Sequence, residues 1–146
     1  MKNNIAFRMN HIKVEQFAVS NDKQTDPKRK YNIETAIRYE MMQESRQLGC
    51  QYKVQYKNRG KVDLLIMISC DFEIEQTSWK NMITKSKLTV PSSFLKYMAD
   101  QTIGTTRGIL FEKTINTKFD QLILPPINLD EIIKTNLQFP LSAEEM

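Results

Sequence analysis

From Val62 to Ile74 every even position is apolar: Val62, Leu64, Ile66, Ile68, Cys70, Phe72 and Ile74. A period of two held over that length marks a strand with one buried face, since successive side chains point to opposite sides of the pleat. A helix would repeat its apolar residues every three or four positions. The odd positions are mostly polar (Asp63, Ser69, Asp71, Glu73 and Glu75), but Leu65 and Met67 interrupt them. The centre of this strand is therefore apolar on both faces: either the N-terminal arm covers a side chain or two there, or a second subunit does, which makes Leu65 and Met67 interface candidates.

Two further segments share the pattern. Between Tyr31 and Met41 the odd positions are Tyr, Ile, Thr, Ile, Tyr and Met, and from Cys50 to Tyr56 the even positions are Cys, Tyr, Val and Tyr. Asn58-Arg59-Gly60 reads as a tight hairpin turn with Gly60 in the left-handed region. Placing Lys57 opposite Lys61 sets Tyr56 against Val62, Val54 against Leu64 and Tyr52 against Ile66, all on one face. The N-terminal segment from Ile5 to Val19 is strand-like but slips phase twice: Phe7 and Met9 share a parity, Ile12 and Val14 take the other, and Phe17 and Val19 return to the first. A strand with one or two bulges accounts for this more simply than a helix does. His11, at the first slip, reads as a structural polar residue.

Residues 77–91 read as a long polar and basic loop. Pro91 then introduces a helix over about 94–116, with Ser92 or Ser93 as N-cap. Its middle is small, with Gly104, Thr105 and Gly108 among the threonines. Helix-interior glycine costs roughly 1 kcal/mol relative to alanine, so the two glycines imply a close backbone approach. The underlying sheet is the expected neighbour; the same helix of a second copy is the alternative, making Gly104, Thr105 and Gly108 interface candidates. Next comes the stretch from Leu122 to Ile133, LILPPINLDEII. Pro125 and Pro126 cannot continue a helix, and Asn128 with Glu131 three residues on suits the start of a new one, running to about Leu137. The connector is apolar where a solvent loop would be polar, so it must cover or bind something. The expectation is a single α+β domain: a four-stranded antiparallel sheet (strands over about 5–76), the loop 77–91, then one long helix, an apolar crossover and a short second helix (92–138), and a frayed tail (139–146).

The chemistry of the 146 residues is sparse. No stretch reaches the roughly twenty apolar residues that span a bilayer, and no signal peptide opens the chain, so a soluble cytoplasmic protein is expected. Cys50, Cys70 and His11 are too few for a four-ligand zinc site, and the two cysteines read as buried apolar groups. No phosphate loop, nucleophile elbow or histidine-based pair is present, so neither a cofactor nor catalytic residues are expected. The net charge of +4 is spread along the chain. Its densest run, Lys28-Arg29-Lys30, reads as a solvated loop, and without aromatic interleaving neither it nor Lys85 and Lys87 suggests nucleic-acid binding.

Leu122, Leu124, Pro126, Ile127, Asn128, Leu129, Asp130 and Ile132 resemble the crossover pattern of the SecB family of export chaperones, roughly L-x-L-x-P-V-N-F-D-x-L. Phe72-Glu-Ile74 and Pro91 fall where that family has similar residues, and the order of elements covers most of the chain. The resemblance implies an ATP-independent holdase, a dimer of dimers, that binds unfolded client polypeptides in apolar grooves. It places Leu122, Leu124, Pro126 and Ile127 in the groove wall, with Phe72 and Ile74 at the strand end. The family's members that deliver clients to the SecA motor are acidic, whereas this chain is basic and its tail lacks a SecA-binding sequence. Both features count against the motor as a partner. They favour, as the alternative, a non-catalytic module of the same fold for one dedicated partner, such as an antitoxin.

Overall fold

The computed structural model describes residues 4–20, 31–120 and 122–142. Its main sheet contains β1 (Phe7–Val19), β2 (Asn32–Met42), β3 (Gln47–Asn58) and β4 (Lys61–Ile74), all antiparallel, in the order β1-β4-β3-β2. After them come α1 (Gln76–Asn81), β5 (Ile83–Thr84), β6 (Lys87–Val90), α2 (Ser92–Thr114), α3 (Leu129–Ile132) and β7 (Leu137–Pro140). The α+β architecture is the one the periodicities predict. The basic run Lys28-Arg29-Lys30 and the last residues of the tail lie outside the described residues.

The β3–β4 hairpin keeps the expected face but not the expected register. Arg59 and Gly60 both have positive φ (54° and 78°) and form a two-residue loop that sets Asn58 opposite Lys61. Such a loop alone would bring Tyr56 opposite Asp63 and turn the apolar set to the wrong side. A bulge between Tyr56 and Lys57 restores the phase, so Tyr56 meets Leu64, Val54 meets Ile66, Tyr52 meets Ile68 and Cys50 meets Cys70. Each pairing lies two residues beyond the one expected. Asp63 is the extra residue; it is only 2% exposed, and its carbonyl accepts from the Ser20 N–H at 2.8 Å.

β1 interrupts its register between Met9 and His11 and between Val14 and Gln16, where the sequence slips phase. His11 Nδ1 lies 3.2 Å from an Asp71 carboxylate oxygen, within a charged outer face that also pairs Arg8 with Glu73 at 2.6 Å. Leu65, on this outer face, is buried, while Met67 is half-buried; their cross-strand neighbours are Ala18 with Gln55 and Gln16 with Lys53. Residues of the described chain thus already cover Leu65.

The core lies on the other face, where α2 packs across β3 and β4. Leu64, Ile66, Ile68, Cys70, Phe72 and Ile74 are fully buried there. Thr102, Thr106 and Thr114 of α2 are buried as well, each hydroxyl donating to the carbonyl four residues earlier, at 2.8, 2.7 and 2.7 Å. This satisfies a polar group within the helix and lets it enter an apolar layer. Phe7 clamps the N-terminal end of α2 through edge-on contacts with Phe94 and Tyr97, at centroid distances of 5.1 and 5.2 Å.

Three expectations change. The segment 77–91 is ordered: Trp79 and Met82 are buried around α1, and β5 with β6 forms a hairpin. β7, placed by the sequence partly in the fraying tail, pairs with β6 and completes a second, three-stranded sheet. The second helix is a single turn, since the chain leaves the helical region at Ile133 and Asn136 is recruited elsewhere: its side-chain oxygen accepts from the Ser92 N–H at 2.9 Å. That bond caps α2 in place of the expected serine, because Pro91 occupies the N-cap and makes no side-chain bond.

The glycines of α2 do not approach the sheet. Gly104 and Gly108 are exposed on its outer side, and a Cβ at either would meet nothing within 4 Å. Thr105, between them, is half-buried. Gly104→Ala and Gly108→Ala should each therefore stabilise the fold by about 0.5–1 kcal/mol. Gly60→Ala, at φ 78°, should destabilise it by about 1 kcal/mol. Denaturant midpoints would show the opposite signs. Burial also raises the Cys50 thiol from 9.0 to about 12 and the Tyr52 hydroxyl from 10.0 to about 12, and it raises Tyr39 and Tyr56 too. Raised folded-state values favour the neutral forms, so their contribution is complete below the unfolded-state values and is lost as pH climbs from about 9 towards 12. The urea midpoint should fall steadily over that range; a flat profile would contradict the neutral, buried placement.

Candidate polypeptide-binding surface

The C-terminal end of α2 decides the course of the crossover. Ile115 leaves the helical region and Asn116 adopts a left-handed φ of 63°, which turns the chain back. Thr117 then holds a compact turn, its hydroxyl donating to the Thr114 carbonyl at 2.6 Å and accepting from the Phe119 N–H at 3.1 Å. Phe119 is buried beneath it. From there the crossover runs antiparallel to α2 and delivers α3 to the opposite end of the helix, where Lys96 pairs with Asp130 at 2.9 Å.

The crossover is extended, so its side chains alternate. Leu124 points into the core and is 4% exposed, while its neighbour Ile123 is 77% exposed. The Tyr56 hydroxyl donates to the Ile123 carbonyl at 3.1 Å and ties the crossover to β3. Leu122 and Ile127 are half-buried against the core cluster, and Pro126 is exposed. Asn128 caps α3 as expected, its side chain accepting from the Asp130 N–H at 3.1 Å.

Between the first half of α2 and the end of the crossover lies an open cleft of about 450 Å³. Tyr97, Ile127 and Leu129 give it apolar walls, and Lys96, Asp100 and Asp130 form a charged rim. A larger cleft of about 570 Å³ at the end of β1 and β4 has Phe7, Ile74 and Ala6 in its walls together with Arg8, Arg46, Glu73 and Glu75. The Glu75 carboxylate there accepts from the Thr77 and Ser78 N–H groups at 2.7 and 3.4 Å and so caps α1; these bonds hold it below the usual carboxylate range.

The residues proposed from sequence for the groove separate. Leu122, Pro126 and Ile127 share the accessible edge of the crossover. Leu124, Phe72 and Ile74 are core residues: Phe72 and Ile74 are fully buried, and Phe72 packs against Phe7 and Phe94. Exposed residues that sequence reasoning passed over take their place. Ile123 is out of phase with the buried Leu124. Ile132 is 57% exposed and Phe111, on the outer side of α2, is 62% exposed. Ile123 was detectable, since alternation along an extended connector requires one of two successive apolar residues to point outward.

Among the described residues, no three His, Cys, Asp or Glu side chains converge as they would around a metal. No described helix is long and apolar enough to cross a membrane. Neither a scan of protein-family models nor a search of curated proteins finds a match for the chain.

The alternation predicts a sharp contrast between adjacent residues. Leu124→Asp should destabilise the fold by roughly 4 kcal/mol, through a lost core side chain and a buried charge. Ile123→Asp should lie within about 0.5 kcal/mol of the parent, as measured by urea unfolding.

Proposed function

We propose that this protein is a SecB-like, ATP-independent holdase acting in the cytoplasm, a non-enzymatic chaperone that binds unfolded or partly folded polypeptide. Clients would lie against the crossover and α2. The observation that supports the reading best is the apolar crossover laid along a long helix, with Ile123 and Ile132 exposed and Tyr97, Ile127 and Leu129 around a cleft. Exposed apolar surface binds many sequences through area and not shape, which suits a holdase. The resemblance of the crossover to the SecB pattern supports the same reading, as does a helix whose outer side carries Gly104, Gly108 and Phe111 with nothing described over it. That exposed outer side suits assembly into a dimer of dimers.

The charge of +4 favours a second reading over delivery to the SecA motor: a module of the same fold dedicated to one partner, such as an antitoxin.

A several-fold molar excess of the protein should suppress aggregation of a chemically denatured model substrate without ATP. Ile123→Asp and Ile127→Asp should each weaken that suppression several-fold, since both charges sit where the apolar surface is accessible. No suppression by the parent protein would overturn the chaperone reading. One stoichiometric partner in a pull-down, without general holdase activity, would establish the second.

A further inference from the structure

The two sheets expose four edges, and three are guarded against further pairing. β1 carries two register breaks, β5 has two residues, and β7 has four and ends at Pro140. Bulges, short strands and proline are the usual means of blunting an edge. β2 has none of these. It is 11 residues long with no proline, glycine or lysine, and it pairs with β3 without a register break from Asn32 to Met42. Its other side has no strand partner among the described residues.

Charge is the remaining defence of an edge, because identical copies usually repel. Here it works in the opposite sense. The outer face of β2 reads Asn32, Glu34, Ala36, Arg38, Glu40, and the core-side face reads Ile33, Thr35, Ile37, Tyr39, Met41. Laid antiparallel on a second copy with the twofold axis at Ala36, Glu34 falls opposite the partner's Arg38, and Arg38 opposite the partner's Glu34. Asn32 meets the partner's Glu40. On the core side Ile33 meets the partner's Tyr39, and Thr35 the partner's Ile37. Residues directly opposite in such a pair have Cβ atoms about 4.5–5.5 Å apart, within reach of an ion pair.

Other registers lose this match. A shift by one position would put the apolar row on the wrong face. Centring on Ile37 sets Glu34 against the partner's Glu40, centring on Arg38 sets that residue against itself, and centring on Thr35 leaves Arg38 facing Asn32. Arg38 and Glu40 make no ion pair among the described residues. Glu34 is paired with Lys57, yet a carboxylate has acceptor sites for a second cation.

We infer that β2 is a self-association edge, where two copies of this chain join antiparallel about Ala36 through reciprocal Glu34–Arg38 pairs. Association would continue the half-buried row Ile33, Ile37, Tyr39 and Met41 across the axis as one apolar surface. The inference does not depend on the chaperone reading.

The test uses the full chain at low salt, where exposed charges are least screened, with solution mass followed by sedimentation across a concentration series. The parent protein should self-associate. Arg38→Glu and Glu34→Arg should each raise the dissociation constant at least about tenfold, since each turns two attractive pairs repulsive. Mixing the two variants should restore association as a heterodimer, and the double variant E34R/R38E should restore it alone. A monomeric parent would overturn the inference, as would single variants that associate as tightly as the parent or fail to recover on mixing. An assembly that survives both reversals but is lost on Phe111→Asp would assign the contact to α2. Aggregation suppression that persists in variants whose mass never changes would leave the chaperone reading standing while this one falls.

Discussion

The pairing of β3 with β4, reset by the bulge at Asp63, fixes where every other element can go. A two-residue turn brings the strands together one position out of phase with their apolar pattern. The bulge removes that conflict at the cost of one buried acidic residue, whose main chain bonds to Ser20 at the end of β1. Once the phase is set, the even positions of β4 form a continuous apolar floor. α2 covers the part of the floor above β3 and β4, and Tyr56, held in the same register, reaches the crossover with its hydroxyl. A slip of one residue would remove the floor and the anchor together.

The strands were legible because burial on one face imposes a period that no other structure shares. The bulges of β1 were equally legible, since each has to shift the parity of the residues beyond it. The register of the hairpin was not. Parity fixes the face but leaves shifts of two residues undecided, and nothing in Tyr56-Lys57 or Asp63 marks a bulge. The second sheet was hidden for a different reason. Leu88 and Val90 alternate, and so do Leu137, Phe139 and Leu141, but each run is too short to stand out. The turn joining β5 to β6 places Lys85 and Ser86 at φ 51° and 67°, a conformation for which glycine or asparagine is the usual signal.

The crossover shows the same division at a candidate functional site. Its unusual composition drew attention to the right segment, yet composition does not separate Ile123 from Leu124, and only one of them is accessible. The decision lies in tertiary contacts: Tyr56 holds the Ile123 carbonyl and thereby turns Leu124 inward. Phe72 and Ile74 looked available because they end a strand, but Phe7 and α2 close over that end.

α2 departs from a simple amphipathic helix on both of its sides. Its inner side buries three threonines among Phe94, Leu95, Met98, Ala99, Ile103 and Leu110, made tolerable by bonds to the preceding turn, while Tyr97 and Phe111 are left on exposed positions. An exposed Phe111 is a poor solution for a helix with one buried face, since it forgoes roughly 2 kcal/mol of burial. It is a reasonable solution for a helix whose outer side is also covered, by a client or by a second copy. The same reasoning applies at the sheet edge, where β2 lacks every common guard and carries a charge pattern that complements itself. Both surfaces lie on the flanks of one apolar layer, so covering either would extend the layer that the β3–β4 register creates.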